Sequence, residues 1–436
     1  MGASGTARPA RRRSGPPAIA WLLLGLLLQL APQPAAAGQP ANLDQRRGQY
    51  ILVNRIPGQV LNVNRPQSFR REAFEEVRQS LPPVPAARLR VGMGMIFSYL
   101  DATNDEVLVT SLKRFLELAS ATDTPVLVQL DGESWWQARP DLWNWFDPAQ
   151  PGFNPENRQN VEWSGWSAHE AIKLSWRNWG RQIRTLPPPN LMSERYRKAC
   201  HEKMQLLIPI ILNWWKALPD ERKDLLVGVK LGWESSIGVS NYYYPQGNAL
   251  LDRPAAEDST HGLKPDDVPS RGVAQIGYAA VKTAGLRAEG QITEADLTEI
   301  ARRHLEDLCA EAARLGAPRE KLFTHGGGWK DGEMLYQAAV NRHSCPGWSF
   351  YRHAGDPPKD TGVQHALNSS DAPYWAACEW LFQGPPTVAA WRAALKNTLA
   401  DPRCRFLCIY NFEGIRKNDA ALAAIREVVG ESVPAR

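Results

Sequence analysis

Glutamate residues stand at the ends of two apolar, β-rich runs that lie far apart in this chain of 436 residues. Glu234 ends the run at 225–234, and Glu379 lies near the end of the run at 373–380. A carboxylate in such a place is costly to bury without a partner or a purpose. Two carboxyl groups that face one bond can divide the work of acid, base and nucleophile. The structural alternative is a salt bridge with Lys230 or with an arginine at the same end of the fold.

Three further acids also follow β-rich runs. Asp131 and Glu133 come at the end of the run at 125–131, and Glu413 follows the run at 405–412. Asp131 and Glu133 are predicted either to hydrogen-bond to the hydroxyl groups of a ligand or to cap a loop. For Glu413 we predict an ion pair, because Arg416 follows closely.

The elements that must position these acids are strands and helices in regular alternation. Continuous apolar character is typical of strands that are covered on both faces of a parallel sheet. Helical spacing of apolar residues follows most of these runs, near 74–81, 108–119, 204–215, 297–312, 388–395 and 422–429. It weakens at 333–340 and at 354–372. We predict eight strands, at 50–56, 89–98, 125–131, 225–234, 321–326, 347–353, 373–380 and 405–412.

This alternation predicts an α/β fold, a single (β/α)8 TIM barrel over residues 38–436. An open doubly wound sheet is the alternative, but no GxGxxG follows an early strand. In a barrel the carboxyl ends of the strands meet at one face, where such folds keep their active sites. Glu234 and Glu379 should therefore lie at the same mouth.

Two long insertions leave this face, at 132–192 and 235–293. The first carries eight of the 17 tryptophans, and the second begins with Tyr242, Tyr243 and Tyr244. Tryptophan usually lies in a core, but we expect that one insertion cannot bury all eight. Flat indole faces stack well on the C–H face of a sugar ring, so the cluster indicates an aromatic cleft that binds carbohydrate.

Glutamates at the ends of the fourth and seventh strands of such a barrel resemble the pattern of the clan A retaining glycoside hydrolases. The resemblance implies that Glu234 is the general acid/base and Glu379 the nucleophile of a secreted glycosidase. Tyr351 is similar in position to a tyrosine that often touches the nucleophile in this clan. Trp233 stands where clan members commonly have Asn, and the frequent tryptophan of strand eight is not present. The family within the clan is not identified.

Around this pair we predict sugar-binding side chains on the same rim. His325 and Trp329 flank the glycine run 326–328, which permits close approach of the backbone to a ligand or merely a tight turn. The predicted substrate-binding residues are Asp131, Glu133, Trp135, Trp136, Trp233, Tyr242, His325, Trp329, Tyr351 and Trp380.

Two other functions remain open. Because Trp233 replaces the usual Asn, the barrel could bind glycans through its Trp-rich cleft without catalysis. A metal-assisted hydrolase would draw on His325, His343, His353 and His365, but neither HExxH nor a strand-borne HxH occurs. We predict no metal and no cofactor.

The beginning of the chain predicts export. Residues 8–13 are arginine-rich, 18–31 are apolar, and the alanines at 35–37 fit a signal-peptidase site, so 1–37 is predicted to be a signal peptide of a secreted or periplasmic protein. A retained anchor is the alternative, but 14 apolar residues fall short of the ~20 that span a bilayer. After cleavage we expect no stable membrane insertion.

Composition limits the partners. The formal net charge is +5, and four arginines without any acid lie within 1–37, so the rest is close to neutral. Nucleic acid is therefore an improbable partner. Six cysteines are too few for a disulfide scaffold and predict core thiols or one or two bridges. The sequence does not indicate the oligomeric state.

Overall fold

The computed structural model describes residues 48–178, 182–239, 241–245 and 272–433. In chain order the described strands are β1 Gln49–Asn54, β2 Leu89–Ser98, β3 Val126–Asp131, β4 Ser175–Asn178, β5 Gln182–Thr185, β6 Leu226–Ser235, β7 Asn241–Tyr242, β8 Leu322–Gly326, β9 Gly347–Phe350, β10 Trp375–Trp380 and β11 Cys404–Tyr410. Eight of them are parallel and close into a barrel in the order β1-β11-β10-β9-β8-β6-β3-β2. The predicted TIM barrel is confirmed. Because β1 pairs with β11, the sheet is closed, which excludes the open doubly wound alternative.

The barrel strands lie close to their predicted positions because their apolar runs are buried on both faces. Every residue of β3 and of β6 is buried. Side chains from six of the strands fill the lower interior: Tyr50, Leu52, Leu127, Val227, Phe323, Ala376, Cys378, Phe406 and Cys408. Above them, toward the mouth, the interior becomes polar with Asn54, Gln129, Lys230, His325 and Ser349, each at most 2% exposed. This polar layer supports the mouth.

The helices surround the barrel, and six of them match the predicted helical patterns. They are α1 Arg71–Ser80, α2 Asp105–Thr122, α3 Pro140–Trp143, α4 Glu194–Ala217, α5 Tyr278–Thr283, α6 Glu294–Arg314, α7 Thr361–Asn368, α8 Val388–Leu399, α9 Phe412–Ile415 and α10 Asp419–Glu431. α7 was not predicted, since Gly, Pro and Asp surround it; Asp360 caps its first turn by accepting two backbone N–H groups. The weak pattern at 333–340 is a 3-10 helix, Met334–Ala339.

The two insertions meet in a small antiparallel sheet. β4 of the first insertion pairs with β5 on one side and with β7 of the second insertion on the other. Residues 246–271 of the second insertion, and the predicted signal peptide 1–37, lie outside the described residues.

Most tryptophans of the first insertion are packing residues. Trp136, Trp163 and Trp176 are at most 4% exposed, and Trp143, Trp145 and Trp166 are half-buried against the main core. Trp135 is also half-buried, and Trp179 lies outside the described residues. The expected aromatic cleft is therefore wrong for most of this cluster, because the insertion packs its indoles against the main core and Trp176 against Tyr244.

All six cysteines are buried and free, in agreement with the core-thiol interpretation. Within the described part of the chain, none of the helices has the length and apolar character needed to cross a bilayer.

Glu413 forms an ion pair that we expect to stabilise the fold. Its carboxylate accepts from Arg55 Nε at 2.6 Å and from the backbone N–H of Ile56 at 3.1 Å, and the Arg55 side chain is 0% exposed. The predicted ion pair is present, but its partner is Arg55, while Arg416 reaches Glu76.

We expect Glu413→Ala to lower the free energy of unfolding by about 3 kcal/mol, because it leaves a buried guanidinium short of a partner. Urea denaturation measures this change. Glu75→Ala is the matched control, since its ion pair with Arg71 is exposed and should contribute less than about 1 kcal/mol. Equal effects of the two substitutions would contradict the prediction.

Candidate active site

Glu234 and Glu379 converge at the mouth of the barrel. They lie at the ends of β6 and β10 and are 4% and 5% exposed. One carboxylate oxygen of each lies, together with a ring nitrogen of His325, within a mutual distance of 4.8 Å. Two carboxyl groups whose oxygens approach this closely can act on one bond.

A distortion at the end of β6 directs Glu234 inward. The register between β6 and β8 shifts between Leu231 and Ser235. Gly232 has a φ of 81° and Glu234 a φ of 53°, both in the left-handed region. A Cβ on Gly232 would lie 2.4 Å from Ser235 Oγ, so the position requires glycine. Left-handed backbone at a residue other than glycine is strained, and such strain is concentrated at functional sites.

Glu379 is surrounded by donors that favour its charged form. Trp233 Nε1 donates to Oε2 at 3.0 Å, and the Tyr351 hydroxyl donates to Oε1. Burial raises the pKa of Glu379, while the positive charge of Lys230 and these two hydrogen bonds oppose that rise. The tyrosine contact expected from the sequence is present, and Trp233 holds the carboxylate directly.

Glu234 has a different environment. Its Oε1 accepts one hydrogen bond, from Ser349 Oγ at 2.8 Å, whereas Oε2 is buried without a partner among the described residues. Burial, and next the negative charge of Glu379, raise the pKa of Glu234 to about 8. Glu379 accepts from two donors and Glu234 from one, so the surroundings favour the charged form of Glu379 more than that of Glu234.

His325 lies beneath the pair instead of on the rim, which corrects the sequence-based prediction. It is 0% exposed because β8 directs it into the barrel. Its Nδ1 lies 2.7 Å from Lys230 Nζ and its Nε2 lies 2.8 Å from Ser349 Oγ. Burial, and then the charge of Lys230, lower the pKa of His325 well below its usual value, so it is neutral. With both ring nitrogens engaged, His325 has no lone pair to offer a metal ion.

Asp131 and Glu133 have structural partners at the mouth. Asp131 is 0% exposed, and its carboxylate accepts from the backbone N–H groups of Glu133 and Ser134 and from Ser98 Oγ, so it caps the loop after β3. Glu133 accepts from Ser235 Oγ at 2.6 Å and lies 3.1 Å from His304 Nε2. Burial would raise the pKa of Glu133, but His304 and Ser235 outweigh it and lower that pKa.

A narrow pocket opens beside Glu234. It holds about 20 Å³ of free space. Its polar lining residues are Glu133, Arg177, Glu234, Ser236 and Asn241, and its apolar walls come from both insertions. Asn241 Oδ1 is buried there and has no partner among the described residues. Arg177 and Asn241 were not predicted, because the pairing of β4 with β7 brings them together. Ser236, which directly follows β6, was not predicted either.

The predicted aromatic binding residues differ in their contacts and in their exposure. Trp329 stacks on Tyr351 with ring centroids 5.6 Å apart, and the Tyr351 hydroxyl donates to Glu379. Tyr242 is half-buried in the small sheet, and its hydroxyl donates to the Val239 carbonyl. Trp136 and Trp380 are at most 1% exposed, so neither offers a face to a sugar and both predictions are wrong. Trp136 packs against Tyr196, and Trp380 against Trp391.

Comparisons with known proteins find similarity at the level of the fold. No protein-family model and no curated protein matches the chain. Among solved structures, a GH5-4 broad specificity endoglucanase from an uncultured bacterium is 10% identical, with coverage of 90% of this chain and 95% of that one and a TM-score of 0.43. An exo-β-1,4-mannosidase from Opitutaceae bacterium strain TAV5 is 11% identical, with coverage of 89% and 61% and a TM-score of 0.41.

The catalytic domain of a GH26 endo-β-1,4-mannanase from Bacillus sp. JAMB-750 is 12% identical over 90% of this chain and 88% of that one, with a TM-score of 0.39. Likeness at this level concerns the fold alone and carries no residue-level assignment. This chain is a (β/α)8 barrel with two buried glutamates at one mouth, and the solved structures similar to it in fold include glycoside hydrolases.

Proposed function

We propose that the chain is a glycoside hydrolase that cleaves an O-glycosidic bond with retention of configuration. The observation that carries this proposal is the buried pair at the mouth, in which Glu379 is held by donors and Glu234 lies within 4.8 Å with one oxygen unpartnered. Two carboxyl groups in such unlike environments divide naturally into a nucleophile and an acid.

In the first step a carboxylate oxygen of Glu379 attacks the anomeric carbon. The bond from that carbon to the leaving oxygen breaks, and Glu234 gives its proton to that oxygen. In the second step Glu234 takes a proton from water, the water oxygen attacks the anomeric carbon, and the bond to Glu379 breaks. Formation of the covalent intermediate removes the charge of Glu379, which allows Glu234 to act as the base.

We place the leaving portion of the substrate at the pocket beside Glu234. An acid must lie next to the leaving oxygen, so the sugar that departs belongs on its side and the sugar attacked by Glu379 on the other. Arg177, Ser236 and Asn241 supply donors and acceptors for hydroxyl groups there. Trp329 and Tyr351 form an aromatic wall on the nucleophile side.

The alternative is a barrel that binds glycans without catalysis, which the replacement of the usual Asn by Trp233 left open. The Trp-rich cluster that would form its cleft packs mainly into the core, which weakens this alternative, while the acid pair remains. We further propose that the protein is exported, on the composition of residues 1–37.

The test is a screen of the purified chain against aryl glycosides and polysaccharides, with the anomer of the first product followed by NMR. We expect retained configuration and a bell-shaped dependence of kcat/KM on pH. Because the raised pKa keeps Glu234 protonated up to about 8, activity should persist at pH 7 and fall as pH rises through that value. It should also fall at acidic pH, as Glu379 becomes protonated. Inversion, or a loss of activity between pH 6 and 7, would refute this assignment.

A further inference from the structure

Three buried side chains connect Glu234 to the interior of the barrel. Lys230 Nζ lies 2.7 Å from His325 Nδ1, His325 Nε2 lies 2.8 Å from Ser349 Oγ, and Ser349 Oγ lies 2.8 Å from Glu234 Oε1. Each of the three is at most 1% exposed. They come from three adjacent strands, β6, β8 and β9, so the barrel fixes their spacing.

The chemistry of these groups gives the chain of hydrogen bonds a direction. Burial lowers the pKa of Lys230, whereas the negative charge of Glu379 favours its ammonium form. As an ammonium, Lys230 has donors only, so His325 Nδ1 accepts from it and the ring proton lies on Nε2. Nε2 then donates to Ser349 Oγ, and the Ser349 hydroxyl is left to donate to Glu234 Oε1. The carbonyl oxygen of a carboxylic acid accepts hydrogen bonds better than its hydroxyl oxygen, so this bond favours the proton on Oε2, which has no partner among the described residues.

We propose that Lys230, His325 and Ser349 are positioning residues, which place the acidic proton of Glu234 on Oε2 and hold that carboxyl group toward the substrate. The inference rests on the proposed function for its catalytic meaning. The hydrogen-bonded chain itself does not require it.

The proposal also explains a buried cation at this place. Lys230 lies beneath both glutamates, and its charge favours the ionised form of each. Other groups that act on Glu234 are Glu379 from β10, which opposes its ionisation, and Arg177 from β4, which favours it. Tyr351 bonds to Glu379 instead. Of these groups, only Ser349 donates a hydrogen bond to Glu234, so its removal should act selectively.

The first test is carbon-13 NMR of the full chain labelled at the glutamate carboxyl carbon, with the Glu234 signal identified by its loss in Glu234→Gln. Ser349→Ala removes a bond to the charged form, so it should raise the pKa of Glu234 by about one unit. Ser349→Thr keeps the hydroxyl and should restore the wild-type titration. Ser111→Ala is the matched control, because it removes a buried hydroxyl that bonds only to the Val63 carbonyl.

Lys230→Met should raise the pKa of both glutamates, because it removes a charge that favours both anions. If that variant does not fold, Ser349→Ala decides alone. A Glu234 titration in Ser349→Ala equal to that in Ser111→Ala would overturn the proposal.

The second test uses hydrolysis. With a substrate whose leaving group is a poor one, Ser349→Ala should lower kcat roughly 10- to 100-fold with little change in KM, because the proton is no longer held at the reacting oxygen. The pH at which activity falls on the alkaline side should rise together with the pKa of Glu234 measured by NMR. A shift in the NMR titration in a protein that hydrolyses no glycoside would reject the proposed function and retain the hydrogen-bonded chain. Hydrolysis of a glycoside without any shift in the Glu234 titration would reject the role of the hydrogen-bonded chain and retain the proposed function.

Discussion

Replacing Glu379 with glutamine should lower kcat on any hydrolysed glycoside by about 10⁴-fold or more. The amide keeps the size of the side chain, and its oxygen can still accept from Trp233 or Tyr351, but it is a poor nucleophile toward the anomeric carbon. The loss should be similar for good and poor leaving groups, because no glycosyl-enzyme forms with either. Steady-state kinetics on two aryl glycosides of different leaving-group acidity measures it.

The same substitution should leave sugar binding almost unchanged. A loss of turnover without a loss of affinity identifies an enzyme, since a glycan-binding barrel has no turnover to lose. Calorimetric titration with the substrate or product sugar gives that affinity. The thermal midpoint should not fall, because Glu379→Gln removes the repulsion between two buried acids. Glu106→Gln, on the exposed start of α2, is the matched control and should have wild-type kinetics. Activity of Glu379→Gln within tenfold of wild type would eliminate Glu379 as the nucleophile.

The location of the acid pair could be predicted, because the positions of the two glutamates in the sequence determine where they lie in the barrel. Glu234 and Glu379 end apolar runs, and a closed parallel barrel brings all such ends to one face. The partners of this pair were harder to predict. Lys230 and Ser349 lie inside strands, where one polar side chain in an apolar run does not reveal whether it faces the barrel interior or a helix. The register shift in β6 adds to this difficulty.

The tryptophan cluster shows the opposite limit. The composition of the first insertion predicted an exposed aromatic cleft, but its described indole rings are buried or half-buried, with Trp163 and Trp176 among the buried ones. Burial of a loop residue depends on contacts between distant segments, here the pairing of β4 with β7. Arg177 and Asn241 come together through that same pairing. Neither position carries a local signal, so the pocket was not accessible from sequence.

Replacing Glu234 with alanine should have an effect that depends on the leaving group. Glycosides with poor leaving groups need a proton at the departing oxygen, so their kcat/KM should fall by about 10²- to 10⁴-fold. Highly activated aryl glycosides leave without that proton, and their first step should continue near the wild-type rate. The second step lacks its base, so the glycosyl-enzyme should accumulate after a burst of aryl alcohol. Stopped-flow absorbance and intact-protein mass spectrometry measure both effects.

A small anion such as azide should restore turnover of activated substrates in Glu234→Ala. The substitution removes one of the two buried carboxyl groups and opens space, so an anion can reach the anomeric carbon without repulsion and needs no base. Its product should be a glycosyl azide with the configuration of the substrate. Glu234→Gln is the matched control: it lacks the acid but fills the space, so azide should rescue it less. A uniform loss across all leaving groups, with no burst and no rescue, would assign the acid to another residue, and Glu133, which also borders the pocket, would be the next to replace.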